Sequence, residues 1–210
     1  MQETYKRIGI LGGTFDPVHY GHLITAETVR EAFQLDKVLF IPSGQPPHKD
    51  NSRVLPAEHR FHILKAAAGS NPFFEVSRIE IEREGYTFTV DTLSQLRNVY
   101  NPHTKIFFII GADVVPDLVT WRNFQKVFTL CEFIAVFRPG SNKNAFSDEI
   151  HRLETEYMAK IHTAEVPLID ISSTEIRSRA KEGKTIKYLV PECVEEYIKT
   201  HGIYLKKTEA

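Results

Sequence analysis

The chain has 210 residues, 42% hydrophobic and 25% charged, with a net charge of −1. That balance excludes a disordered segment. It also speaks against a protein built to grip a nucleic-acid backbone, which would show a basic excess. No apolar run approaches the ~20 residues that a membrane-spanning helix needs, and the short apolar stretch from Ile8 to Leu11 is too brief for a secretory signal. Cys131 and Cys193 stand far apart with no metal-finger spacing, so reduced thiols are the simplest reading. The expectation is a cytoplasmic, water-soluble protein with no membrane or nucleic-acid partner.

In chain order, Lys6–Leu11 reads as a strand ending in Gly12-Gly13. A helix over 22–35 follows, with Leu23, Ala26, Val29, Ala32 and Phe33 near helical spacing. Lys37–Ile41 is a second strand, stopped by Pro42. The proline- and glycine-rich segment 43–54 is a loop. Pro56 opens a helix through Ala68. Residues 73–81 look strand-like. Residues 89–100 are helical, with Val90, Leu93, Leu96 and Val99 in step. Lys105–Ile110 and Glu132–Phe137 are the strongest buried-strand candidates. Short apolar runs between amphipathic helices indicate a parallel sheet covered on both faces. Two helices, 173–181 and 192–201, close the chain. They form a small helical subdomain from about Ile171, set against an α/β unit over 1–170, and are read as part of the same domain.

The most informative segment is Gly12-Gly13-Thr14-Phe15-Asp16-Pro17-Val18-His19-Tyr20-Gly21-His22, placed between the first strand and the first helix. In open parallel sheets, ligands bind at the carboxyl ends of strands beside helix N-termini. Glycines there let a phosphate approach backbone N–H groups. The segment has neither the dinucleotide-binding glycine fingerprint nor a P-loop. Gly183-Lys184-Thr185 lacks the required earlier glycine, since Ser178 stands in its place, and reads as a helix C-cap. His19 and His22 lie on one side of a helix mouth. A capped structural turn remains open for this pair, and a zinc site has no evident third ligand.

Gly12–His22 resembles the TFDPVHxGH signature of the nucleotidyltransferases that carry an HxGH motif. Ile171-Ser172-Ser173-Thr174-Glu175-Ile176-Arg177 resembles their second signature, ISSTxIR, about 150 residues later. Pro46-Pro47-His48-Lys49, the stretch Tyr86 to Leu93, Gly111-Ala112-Asp113 and Trp121 resemble one branch, the bacterial nicotinate mononucleotide adenylyltransferases. The likeness runs from residue 6 to about 205. It implies an α/β, Rossmann-like doubly wound parallel sheet with the small C-terminal helical subdomain. It also implies transfer of AMP from ATP to nicotinate mononucleotide in NAD biosynthesis, releasing pyrophosphate.

That reaction needs positioning and charge neutralisation more than acid–base chemistry, because the attacking phosphate is already an anion. His19 and His22 are expected to donate to ATP phosphates, with Gly12, Gly13, Thr14 and Phe15 offering backbone groups. Ser172, Ser173 and Thr174 begin a helix, which favours anions, and Arg177 reaches the β- or γ-phosphate. Lys49 closes from its loop. Alone, Ser172–Glu175 is an ordinary capping box, a role compatible with phosphate binding nearby. By resemblance, Trp121 stacks on the pyridine, with Tyr86, Thr87, Gly111, Ala112, Asp113 and Arg138 around the mononucleotide. Mg2+ is expected to enter bound to ATP phosphates, with no protein metal ligand. The alternatives are the same reaction on nicotinamide mononucleotide, or a nucleotide-binding module without catalysis. A homo-oligomer is compatible with the sequence, which leaves the oligomeric state open.

Overall fold

A computed structural model of the chain describes residues 5–45, 54–137 and 143–205, the side chains of 143–145 excepted. The proline loop with Lys49, and Arg138, therefore lie outside the described residues. Six strands form one all-parallel sheet: β1 (Arg7–Gly13), β2 (Lys37–Pro42), β3 (Phe74–Val76), β4 (Lys105–Gly111), β5 (Glu132–Phe137) and β6 (Ile161–Glu165). Their spatial order is β3-β2-β1-β4-β5-β6. The chain builds outward from β1 in one direction, returns past it, and builds outward in the other. Between β1 and β4, paired from Arg7↔Lys105 to Leu11↔Ile109, the crossover loops diverge and leave a crevice above the strand ends.

The strands are apolar on both faces because both faces are covered. Alternation assigns each side chain to a layer. Leu11, Val38, Phe40, Phe107 and Ile109 join α1 (Tyr20–Ala32) and α2 (Ala57–Ala68) in one core. The same core takes Ile176 and Ala180 of α6 (Ser173–Lys181), Val194 and Ile198 of α7 (Glu192–Thr200), and Ile203. Ile8, Ile10, Leu39, Ile106, Phe108 and Phe133 face the other layer. That layer comprises α3 (Thr89–Val99), a 3-10 segment (Ala112–Thr120), α4 (Phe124–Leu130) and α5 (Lys143–Tyr157). Burying each such Ile, Leu or Phe contributes about 1.5–3 kcal/mol relative to exposure.

Most sequence-derived elements appear within a residue or two of their expected ends. The first helix starts at Tyr20 and not at His22, so both histidines belong to its first turn. The strand expected over 73–81 is a correction: only Phe74–Val76 pairs, with Val38–Phe40. Ser77 ends it, because its hydroxyl accepts from Ile79 N–H at 3.2 Å and turns the chain. Gly183 caps α6 in the left-handed conformation, φ 71, and its N–H reaches Ala180 O.

Candidate active site

Three adjoining cavities, of about 420, 380 and 260 Å3, run along the carboxyl ends of the strands. Leu11 lines all three. The smallest brings His19 and His22 opposite Ser172 and Ser173, so the two signatures meet in one place. His19 caps α1 with extended backbone, and its N–H donates to His22 Nδ1 at 3.3 Å. The two rings lie 3.8 Å apart, centroid to centroid. Burial, and secondarily the charge of His19, pushes the His22 imidazole down to about 3. A neutral ring whose Nδ1 accepts carries its proton on Nε2, which makes His22 a hydrogen-bond donor at neutral pH.

The loop that precedes the histidines is gripped from outside. Arg60, on α2 and 1% exposed, donates to Thr14 O at 2.8 Å, Ser43 O at 2.7 Å and Leu55 O at 2.8 Å. Arg177 Nη1 donates to Asp16 O at 2.7 Å, and Ser173 Oγ to Pro17 O at 2.9 Å. Three carbonyl groups of the loop, at Thr14, Asp16 and Pro17, are thus held by side chains. In a trans peptide the next N–H points the opposite way. Holding Thr14 O and Pro17 O therefore turns Phe15 N–H away from Arg60 and Val18 N–H away from Ser173. The Asp16–Pro17 bond is cis, and Phe15 has φ 50. A side chain in that region costs about 1–2 kcal/mol. The buried Phe15 ring, packed against Phe40 and His22, offsets it.

Gly12, Gly13 and Thr14 line the largest cavity together with Thr87, Gly111 and Trp121. Trp121 is braced edge-on by Phe108 and Phe133, at 5.9 and 6.2 Å. Ala112 and Asp113 line the adjoining cavity. Phe15 contributes a buried ring to the core, and only its backbone is left for a ligand. Tyr86 is 59% exposed and outside the lining of all three cavities. Ser172 Oγ accepts from Glu175 N–H at 3.1 Å, the capping geometry its sequence allows. Thr174 accepts a long contact from Arg177 Nη2, 3.4 Å.

Several residues of the site carry no sequence signal. Glu80 and Arg122 line the Trp121 cavity. Burial raises the Glu80 carboxyl above the usual range, and Thr92 Oγ1 donates to it at 2.7 Å. Arg122 lies over the Phe88 ring at 4.6 Å. Gly44 passes so close that an added Cβ would stand 2.2 Å from Glu80 O. Among the described residues, no group of three or more His, Cys, Asp or Glu could hold a metal ion. No described helix is long and apolar enough to cross a membrane.

A cytidylyltransferase-like family model matches residues 10–179, a span that includes both signatures. A probable nicotinate-nucleotide adenylyltransferase of Thermoanaerobacter sp. is 47% identical over 207 residues, covering 99% of this chain and 98% of that protein. One from Moorella thermoacetica is 50% identical over 198 residues, covering 94% and 91%. The chain belongs to the nicotinate-nucleotide adenylyltransferases. As a member of that family it is a nucleotidyltransferase enzyme of NAD biosynthesis. The same fold occurs in the nicotinic acid mononucleotide adenylyltransferase of Plasmodium falciparum, solved in complex with NaAD. The TM-score is 0.77 at 18% identity, covering 95% of this chain and 97% of that one.

Proposed function

We propose that this adenylyltransferase joins ATP to nicotinate mononucleotide, with the adenylyl donor over the histidine cavity and the mononucleotide in the Trp121 cavity. The convergence of His19, His22, Ser172 and Ser173 on one cavity beside a second, aromatic one carries this reading. An oxygen of the mononucleotide phosphate bonds to the α-phosphorus of ATP. The bond from that phosphorus to the bridging oxygen breaks, and pyrophosphate leaves with the electron pair. No proton has to move, so the site needs donors and in-line placement.

His22, neutral and protonated at Nε2, donates to the phosphate undergoing transfer, and His19 shares this task. Gly12, Gly13, Thr14 and Phe15 supply backbone contacts around it. Ser172, Ser173 and Thr174 offer the N-terminus of α6, and Arg177 meets the leaving phosphates with the fixed fork of a guanidinium. Lys49 would add charge from its loop. Trp121 provides a flat face for the pyridine, with Thr87, Gly111, Ala112, Asp113 and Arg138 around the mononucleotide, and Tyr86 at its margin.

The donor set on these cavities is rich in N–H groups and poor in clustered carboxylates, which suits a cation held by phosphate oxygens. Magnesium carried on ATP would supply charge neutralisation at the β- and γ-phosphates. We place the reaction in the cytoplasm.

The test is pyrophosphate release with ATP and magnesium, comparing nicotinate and nicotinamide mononucleotides and phosphopantetheine. Strong preference for the acid supports the proposal. Preference for the amide keeps the chemistry and reassigns the ring contacts. No turnover with any of them leaves a nucleotide-binding module.

A further inference from the structure

Tyr204 is remote in sequence from the Gly12–His22 loop, yet its hydroxyl donates to Asp16 Oδ1. Its backbone is left-handed, φ 62, a conformation that a tyrosine adopts only where its contacts hold it. Asp16 is 5% exposed, and a carboxylate so buried needs partners. Its two oxygens are treated differently. Oδ1 takes the Tyr204 hydroxyl, whereas Oδ2 lies 3.9 Å from Arg177 Nη1, a loose ion pair. The same Nη1 is anchored on Asp16 O at 2.7 Å, and about a third of the Arg177 side chain, 34%, is still accessible.

We infer that Tyr204 is a positioning residue for the ATP phosphates: by occupying one oxygen of Asp16, it keeps the carboxylate from closing on Arg177. A carboxylate free to rotate beside a guanidinium forms a two-pronged pair, the strongest arrangement open to it. Arg177 would then spend on Asp16 the donors that a phosphate needs. With Oδ1 tied to Tyr204, the pair stays one-sided, and Nη2, which makes only the long 3.4 Å contact to Thr174 Oγ1, is left for a phosphate. Burial, reinforced by the hydrogen bond to Asp16, holds the Tyr204 phenol above its ordinary range, so the hydroxyl remains a donor at any working pH. The inference rests on the reading of Arg177 as a phosphate ligand.

The experiment measures the Kd of α,β-methylene-ATP with magnesium by calorimetry on the full chain, beside steady-state KM values and Tm. Tyr204→Phe keeps the ring and removes only the hydroxyl. The expected result is a roughly five- to tenfold weaker analogue, within the net worth of a typical intramolecular hydrogen bond. KM for the mononucleotide should stay within about twofold, which a general loosening of the fold would not permit. Adding Asp16→Asn to Tyr204→Phe should restore affinity, since an amide does not compete for Arg177. In an Arg177→Ala background, Tyr204→Phe should change nothing further. An unchanged Kd for Tyr204→Phe, with or without a lower Tm, overturns the inference, as does a loss that persists without Arg177. If Arg177→Ala alone leaves the Kd unchanged, the reading of Arg177 fails first and the inference falls with it.

Discussion

The backbone N–H of His19 donates to Nδ1 of His22, and the two imidazoles lie 3.8 Å apart. The first histidine thereby fixes which nitrogen of the second bears the proton. Replacing His22 with Ala should lower kcat by about 10²-fold or more, as loss of a donor to a developing charge does. Single-turnover measurements at saturating substrates check this. An unaltered kcat would remove His22 from the mechanism.

The same histidine makes the fold sensitive to acid. Its folded-state value, about 3, lies below the ordinary histidine value of 6.5 because burial, then His19, disfavours the charged form. Between those two values the unfolded chain binds the extra proton and the folded chain does not. Stability therefore falls as pH drops from 6.5 toward 3, by up to about 1.4 kcal/mol per pH unit from this group. Above pH 6.5 the contribution is flat. Urea midpoints at pH 7.5 and 5 should differ less for His22→Gln than for the wild type.

Trp121→Ala should raise KM for the mononucleotide several-fold and KM for ATP much less. Stacking on an aromatic plane is worth about 1–3 kcal/mol per base, and Phe108 and Phe133 hold the indole from its edges. Equal rises in both constants would count against a pyridine stack.

Arg60→Met should destabilise the fold by at least about 3 kcal/mol, because three backbone carbonyls lose their donor inside the protein. Arg152, whose partners Glu149 and Glu156 lie one turn before and one turn after it on a surface helix, is the control: Arg152→Ala should leave the denaturation midpoint nearly unchanged. Chemical denaturation of the two variants side by side is sufficient.

What the sequence disclosed was whatever is contiguous. Gly12–His22 and Ile171–Arg177 are runs with a readable turn or cap, and β1, β2, β4 and β5 are apolar runs too short for helices. Contacts made at long range left no such trace. Arg60 lies in an unremarkable helix, Glu80 in a stretch that resembled strand, and Tyr204 close to the chain end. Each acquires its role from a partner on another element. Strand β6 was invisible because at the sheet edge it exposes His162, Thr163 and Glu165 and buries only Ile161 and Ala164, which breaks the alternation of a strand. Helix α5 is so polar that its charged pairs, and not an apolar stripe, mark it.

The grip of Ser173, Arg177 and Tyr204 on the Asp16–Pro17 turn has a consequence for biosynthesis. A ribosome emits the glycine loop early and these clamps late. A growing chain therefore carries the first signature through the addition of 156 further residues before the first of these clamps, Ser173, can reach it. The side-chain hold on this turn is complete only when residues 173–204 have emerged and docked.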